Sequence, residues 1–461
     1  MKRDVYNNIS PLDHRYSLRE KEFNQYKRFF SEKATIKYQA RVELALVKAL
    51  EKRNICNKET VKEVEKAVEN LTVEEVYAEE KKTRHNIRAL VNCIREKVSE
   101  ETRPYIHLSA TSYDIVDTAN SLRYQEATDK LIIPVLKKLL KSWLDIAEQE
   151  KATLQIGRTH GQHAEPITFG LTMAYYCSRL HRGIKKLKEN ADNLKGKMSG
   201  AVGAYNASNI FFEDPDRFEK EVLDKLDLKP GSVSTQIVAP EYMTDFVHSL
   251  ISIYGILADF SDDMRHLQRS EIREVGEYFE EEQVGSSTMP HKRNPINYEN
   301  VKSMWKEFMP RMVTCYQDQL SEHQRDLSNS ASSRFIPEIA AGLLLSVNRL
   351  IRVSEKMHID KDEMKRNFNL NRDMIMAEPL YIILAARGHP DAHEKVRKLT
   401  LKAENEEGSS LKQLVKKDEE LKPYLNKLSK RQQDILYNPE LYTGIAESKT
   451  EEIVEKIRNE Q

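Results

Sequence analysis

The stretch GSSTMPHKRNP, residues 285–295, gathers chemistry that its surroundings lack. A glycine and two serines can turn backbone amides toward one acceptor, and His291, Lys292, Arg293 and Asn294 add charge and directional donors. Fixed donors of this kind stabilise an anion that develops during a reaction, often the largest single contribution to catalysis. The same donors would stabilise an alkoxide on a loop serine. The loop is flanked by LADFSDDMRHLQRSEIREVGEYFEEEQ and INYENVKSMWKEFMPRMVTCYQ, both expected to be helical. In the second, Val301, Met304, Trp305, Phe308, Met312 and Tyr316 recur at helical spacing. The acidic run EVGEYFEEEQ reads as a solvated helix face.

Other polar islands interrupt the helical pattern: PLDHRY (11–16), TRHN (83–86), HLSATSYD (107–114), GRTHGQHAEP (157–166), SGAVGAYNASN (199–209), STQ (234–236) and RDLSNSASSR (325–334). Their charged members are mostly cations or potential cations, among them Arg15, Arg84, His85, Arg158, His160, His163, Arg325 and Arg334. Arginine forks, hydroxyls and helix N-terminal amides together suit a small polyanion bearing carboxylate or phosphate. Taken singly, SATSYD and STQ fit helix caps as well as ligands. His160, His163 and Glu165 have metal-like spacing, but Gly157, Gly161 and Pro166 argue against a rigid helical platform. SGAVGAYNASN lacks the Lys-Ser/Thr ending of a phosphate-binding loop, and no strand is expected before it.

The elements that must position these islands are helices. Glycine and proline are sparse at 15 each in 461 residues, and Leu, Lys and Glu abound, so the fold class expected is all-α. Helical segments in the middle of the chain are long: one over about 118–154, another opening at GRTHGQH and continuing through FGLTMAYYCSRL, a third over about 242–282, and others after the 285–295 loop and near 336–356. Such lengths belong to bundles, and one chain has difficulty covering their apolar faces. Three helical domains are expected: 1–111, 112–362 as the central long-helix bundle, and 363–461, with breaks at Gly388, Gly408 and Pro423.

Lys plus Arg equals Asp plus Glu at 73 each, so no global charge favours nucleic acid or a membrane. No run of about eighteen apolar residues is present, and MKRDVYNNISPLDHRY has no apolar leader core. Cys56, Cys93, Cys177 and Cys315 lie far apart without CxxC spacing. A cytoplasmic protein in a reducing compartment, with no structural metal, is the expectation.

GSSTMPHKRNP resembles, without a gap, the signature loop of the fumarase/aspartase superfamily, whose members eliminate fumarate or a relative from a succinyl group. PLDHRY, TRHN, ATSYDIVDT, RTHGQHAEP, SGAVG, STQ and RDLSNSASSR stand in the order expected of its purine-nucleotide branch. The likeness covers residues 11 to about 340. Two positions depart from the pattern: Asn86 where Asp is usual, and Ser333 where Glu is usual. His291 separates the chain from fumarases (Gly) and argininosuccinate lyases (Gln), though carboxymuconate-cyclising relatives share it.

The resemblance implies metal-free, cofactor-free β-elimination of fumarate from succinylated purine nucleotides. It makes Ser286 the base, His160 the general acid on the departing nitrogen, Glu299 the carboxylate orienting that histidine, and Lys292 a charge on the carboxylate. Arg15, Tyr16, Arg84, His85, Asn86, Thr111, Ser112, Gln236, Ser287, Met289, Asn294, Arg325, Ser330 and Arg334 become substrate contacts. It also implies a homotetramer whose active sites draw on three subunits. A cycloisomerase acting on a substrate without phosphate and a crystallin-like structural protein are the other readings. Intact Ser286, His160 and Lys292 argue against the latter.

Overall fold

The computed structural model describes residues 8–18, 20–279, 288–289, 291–406 and 409–460. The chain is all-α in character, with short two-stranded pairs as its described strands. It divides into two compact units, each assembled from three separate stretches.

The first unit comprises Met1–Lys137, Arg182–Ala258 and Val301–Arg349. Its Glu32–Lys52 helix starts where the Ser31 side chain accepts the Ala34 amide. Val42, Leu46, Val47 and Leu50 of that helix are fully buried, against the Ser112–Ala127 helix among others. Two polar groups tie its helices together: Tyr254 donates to Gly342 O at 2.9 Å, and Arg53 reaches Glu221 and Asp214, both at 2.7 Å. Gly342 is fixed by packing, since a Cβ there would lie 2.2 Å from the Phe308 ring.

The second unit comprises Lys138–His181, Asp259–Asn300 and Leu350–Gln461. Trp143, Tyr176, Phe260 and Tyr298 form an aromatic core, with Trp143 and Phe260 centroids 4.3 Å apart. The Trp143 indole donates to Ser354 Oγ at 3.0 Å. The tail is helical as expected, and Met376, Leu380, Leu384, Leu411, Val415, Leu421 and Leu436 give it a core of its own.

Several expected helices hold with changed boundaries. The first long segment runs as Ser112–Ala127, a π-turn over Thr128–Ile132, and Ile133–Gln149. Pro134, which has no amide hydrogen to donate, follows that turn and accounts for the irregularity. GRTHGQH does not begin a helix. Leu154–Thr159 and Gln162–Thr168 pair as an antiparallel hairpin, and the helix starts only at Phe169. The third helix is Glu241–Leu267, about 40 Å long, and does not reach residue 282. Arg273 then adopts φ +56°, and Val275–Gly276 pairs with His358–Ile359. The acidic run is therefore not a solvated helix face: Glu274 is wholly buried and Glu277 is nearly so. Its remainder, from 280, lies outside the described residues.

Candidate active site

In the first unit, separate islands meet around the start of the Ser112–Ala127 helix. The Thr111 amide donates to the Asp114 carboxylate at 2.7 Å, which closes the helix N-terminus. Ser112 Oγ lies 3.4 Å from His85 Nε2. His85 itself caps the Asn86–Arg95 helix, its Nδ1 accepting the Arg88 amide at 3.1 Å. Arg84, just before it, is exposed with φ +50°, and Asn86 opens the helix on the exposed side.

Arg325 arrives from the C-terminal island. It donates to Tyr113 Oη at 2.6 Å and to Asn329 Oδ1 at 2.6 Å, and lies 4.4 Å above the Tyr113 ring. Its Nε is buried and makes no hydrogen bond among the described residues. Ser330 sits in the following turn, its amide donating to Leu327 O. Arg334 is exposed, close enough to act electrostatically on the Tyr77 phenol.

The SGAVG island is tied to the same helix by a buried ion pair between Lys197 and Asp114. Asp114 also accepts the Gly200 amide, and the Lys197 ammonium donates to Gly200 O, both at 3.2 Å. Ser199 Oγ meets Ser234 Oγ at 2.6 Å, so STQ joins the cluster. Gly203 has φ +76°, and a Cβ there would stand 1.9 Å from Ser234 O, an approach that only glycine permits. Two residues past Gln236, the Val238 amide donates to Asp117 at 2.9 Å. Burial pushes the Asp117 carboxyl up to about 6, against the lowering effects of that amide, Lys197 and Arg325. Asp117 and Tyr113 line a cavity of about 130 Å³ with Tyr124, Asp318 and Cys315.

The second unit carries the residues expected to do the chemistry. His160 and Gly161, with φ +53° and +77°, form the tip of the hairpin. His160 is exposed there, and its side chain makes no hydrogen bond or ion pair among the described residues. Two left-handed residues in a two-residue connection fit the turn that follows strand twist most closely. Arg158 is not available for a ligand. It binds Glu274 at 2.5 and 3.2 Å, while Gln155 and Asn367 donate to the same carboxylate at 2.9 and 2.8 Å. His163 is kept below the usual histidine range by burial and then by the Arg158 charge.

Glu277 organises the end of the signature loop. Its carboxylate accepts the Asn297 and Tyr298 amides, both at 2.9 Å, and so caps the Ile296–Phe308 helix. Gln268 accepts the Glu277 amide at 3.1 Å and donates to Arg293 O at 3.3 Å. Lys292 is exposed, its amide donating to Met289 O at 3.0 Å. Met289 is also exposed, and Asn294 O accepts the Ile296 amide. Ser286 and Ser287 lie outside the described residues. Glu299 is exposed in the first turn of its helix, and no contact joins it to His160 among the described residues. Arg15 is likewise exposed, its amide donating to His14 Nδ1, and Tyr16 is half-buried beside it.

Sequence reasoning passed over Tyr113, Asp114, Asp117, Lys197 and His107. His107, Tyr113, Asp114 and Asp117 stood inside named stretches, HLSATSYD and ATSYDIVDT, so adjacency could have raised them. His107, with φ +65°, is bound through Nδ1 to the buried Glu43 at 2.7 Å. Among the described residues, no three His, Cys, Asp or Glu side chains group as a metal site, and no helix is long and apolar enough to cross a membrane.

Comparison with known proteins fits this arrangement. The family described as Lyase matches residues 16–309, and the one described as Adenylosuccinate lyase C-terminal matches residues 321–433. Solved structures share the fold. The 3-carboxy-cis,cis-muconate lactonizing enzyme of Pseudomonas putida superposes with a TM-score of 0.81 at 24% identity, over 96% of this chain and 99% of that one. A fumarate lyase of Mesorhizobium sp. BNC1 also gives 0.81, at 22% identity over 94% and 97%. Fold and family matches thus define a lyase with the all-α architecture of the fumarase/aspartase superfamily. Among curated sequences, the adenylosuccinate lyase of Archaeoglobus fulgidus is 34% identical over 97% of this chain and 98% of its own. That of Pyrococcus abyssi is 35% identical over 98% and 97%. The chain belongs to the adenylosuccinate lyase family.

Proposed function

We propose that the chain eliminates fumarate from adenylosuccinate to give AMP, and from the corresponding succinyl-aminoimidazole-carboxamide ribonucleotide. Supporting this, the family match is nearly full length, and the cluster at the start of the Ser112–Ala127 helix puts Arg325, His85 and hydroxyls on one surface. That cluster is the observation that carries the substrate reading. In this reading Arg84, His85, Asn86, Thr111, Ser112, Gln236, Arg325, Ser330 and Arg334, with Arg15 and Tyr16, bind phosphate, ribose and carboxylate. Arginine is suited to that work because its planar fork matches both anions.

Ser286 removes the proton beside the succinyl carboxylate, while Lys292 and Asn294 stabilise the charge that builds there, with Ser287 and Met289 beside them. His160 protonates the departing nitrogen, and Glu299 orients it. His160, exposed and without a side-chain partner among the described residues, supports a site completed by another subunit, as in a homotetramer. The three-domain division at 111 and 362 and a cytoplasmic location belong to the same proposal. A cycloisomerase reading has in its favour the fold likeness and the shared His291. Incubation of purified protein with adenylosuccinate should yield AMP and fumarate in equal amounts. Release of neither would refute the assignment.

A further inference from the structure

A second concentration of charge lies away from the site described above. Lys27, Arg28, Lys33, Lys37, Arg41 and Lys130 line a groove of about 660 Å³ between the Glu20–Phe30 and Glu32–Lys52 helices and the end of Ser112–Ala127. In a chain with 73 cations and 73 carboxylates, such a local surplus needs a reason. Glu126 is the one lining carboxylate among the described residues, and it is already engaged. It accepts from Tyr38 at 2.9 Å, Arg41 at 2.8 Å and Lys130 at 3.0 Å. Although burial works the other way, those cations hold its carboxyl down at about 2.

Among the described residues the remaining cations have no carboxylate partner. Lys27 donates to Asn24 at 3.3 Å. Arg28, Lys33 and Lys37 are exposed and form no ion pair among the described residues. Glu32, on the same turn as Lys33, is hydrogen-bonded to Tyr77. Lys33 and Lys37 stand one helical turn apart, about 6 Å, and can reach successive groups of one short anionic chain. The volume suits a nucleotide-sized ligand. Ser112 and Glu126 lie near opposite ends of one helix, about 21 Å apart, so the groove is separate from the islands at that helix's start.

We propose that this groove is a second anion-binding site and that it takes a short phosphate chain, either free or carried by a nucleoside. Lys27, Arg28, Lys33 and Lys37 supply the charge, and the Glu126 network holds Arg41 and Lys130 in place beneath them. Isothermal titration calorimetry of the intact protein with tripolyphosphate, and separately with ATP, tests it. The double variant Lys33→Gln/Lys37→Gln should bind both at least about tenfold more weakly, with its melting temperature unchanged. Equal weakening for the two ligands identifies the phosphate chain as the recognised part, and retained extra affinity for ATP identifies a nucleoside contact beside it. Unchanged tripolyphosphate binding in the double variant overturns the proposal. So does a loss seen in Arg334→Lys and absent from the double variant, because the anion then sits among the catalytic islands. Binding of an oligonucleotide but of neither small ligand also overturns it. None of these readings depends on the elimination reaction.

Discussion

The two units treat their functional residues differently. In the first, two of the residues proposed to bind substrate are held by neighbours, Arg325 by Tyr113 and His85 by Ser112, beside an SGAVG stretch tied down by the Lys197–Asp114 pair, while Arg15, Arg84 and Arg334 are exposed. In the second, structural groups are satisfied while the chemical ones are not. Arg158 and Glu277 are fully engaged, whereas His160, Lys292 and Glu299 are exposed without side-chain partners among the described residues. A binding surface can be organised within one chain. In the proposed reading, the groups that exchange protons are left for a partner or substrate to complete.

That contrast can be broken most sharply at the chemical residues. Ser286→Ala and His160→Ala should each lower turnover by about 10²–10⁴-fold or more while equilibrium binding of substrate persists. Denatured together and refolded, the two dead proteins should regain about a quarter of wild-type activity if each site takes the two residues from different chains. A mixture that stays dead would place both in one chain.

The next effect is on stability and belongs to the first unit. Lys197→Met leaves the buried Asp114 carboxylate without its cation and should cost about 3–5 kcal/mol in denaturant unfolding. A loss below about 1 kcal/mol would mean that the Thr111 and Gly200 amides suffice for Asp114. Tyr113→Phe keeps the ring beneath Arg325 and removes the hydroxyl. The Michaelis constant should rise about threefold to tenfold with kcat little changed, and a drop confined to kcat would move Arg325 from binding to chemistry.

The smallest effect concerns pH. The Asp117 carboxyl is raised to about 6 in the fold from 3.8, so the folded state holds its proton more tightly than the unfolded chain. Its contribution to stability is therefore most favourable below pH 4 and is lost as pH rises through about 6. Asp117→Asn, which still accepts the Val238 amide, should flatten that pH dependence. An unchanged stability–pH slope between pH 4 and 6 would show that Asp117 ionises normally.

The islands were legible because hydroxyls, cations and glycines stand out against helical periodicity, and their helix-end positions at Thr111 and His85 follow from capping chemistry. The hairpin was not. Its two-residue turn, His160-Gly161, is a recognisable hairpin signal, but the apolar run after Phe169 made the whole stretch resemble one helix. Buried charge was illegible for a different reason. Lys197 sits in a lysine-rich stretch and Glu274 in an acidic one, and neither shows from its neighbours that its partner is Asp114 or Arg158, many residues away. The end of the third helix at Leu267 was hidden in the same way, since the chain after it leaves helical geometry and buries Glu274 against Arg158.

The hairpin tip also bears on how this protein can evolve. A non-glycine residue at φ +53° sits in a region that asparagine or glycine occupies more easily. If His160 has its proposed role, the position sets a modest folding preference against chemistry. In a library randomised at this position, selection for thermal resistance alone should enrich glycine and asparagine. Selection for growth that depends on the reaction should return histidine. The position would then record which pressure a lineage has experienced, and a drift from histidine there would mark a copy freed from catalysis before any other change in its fold.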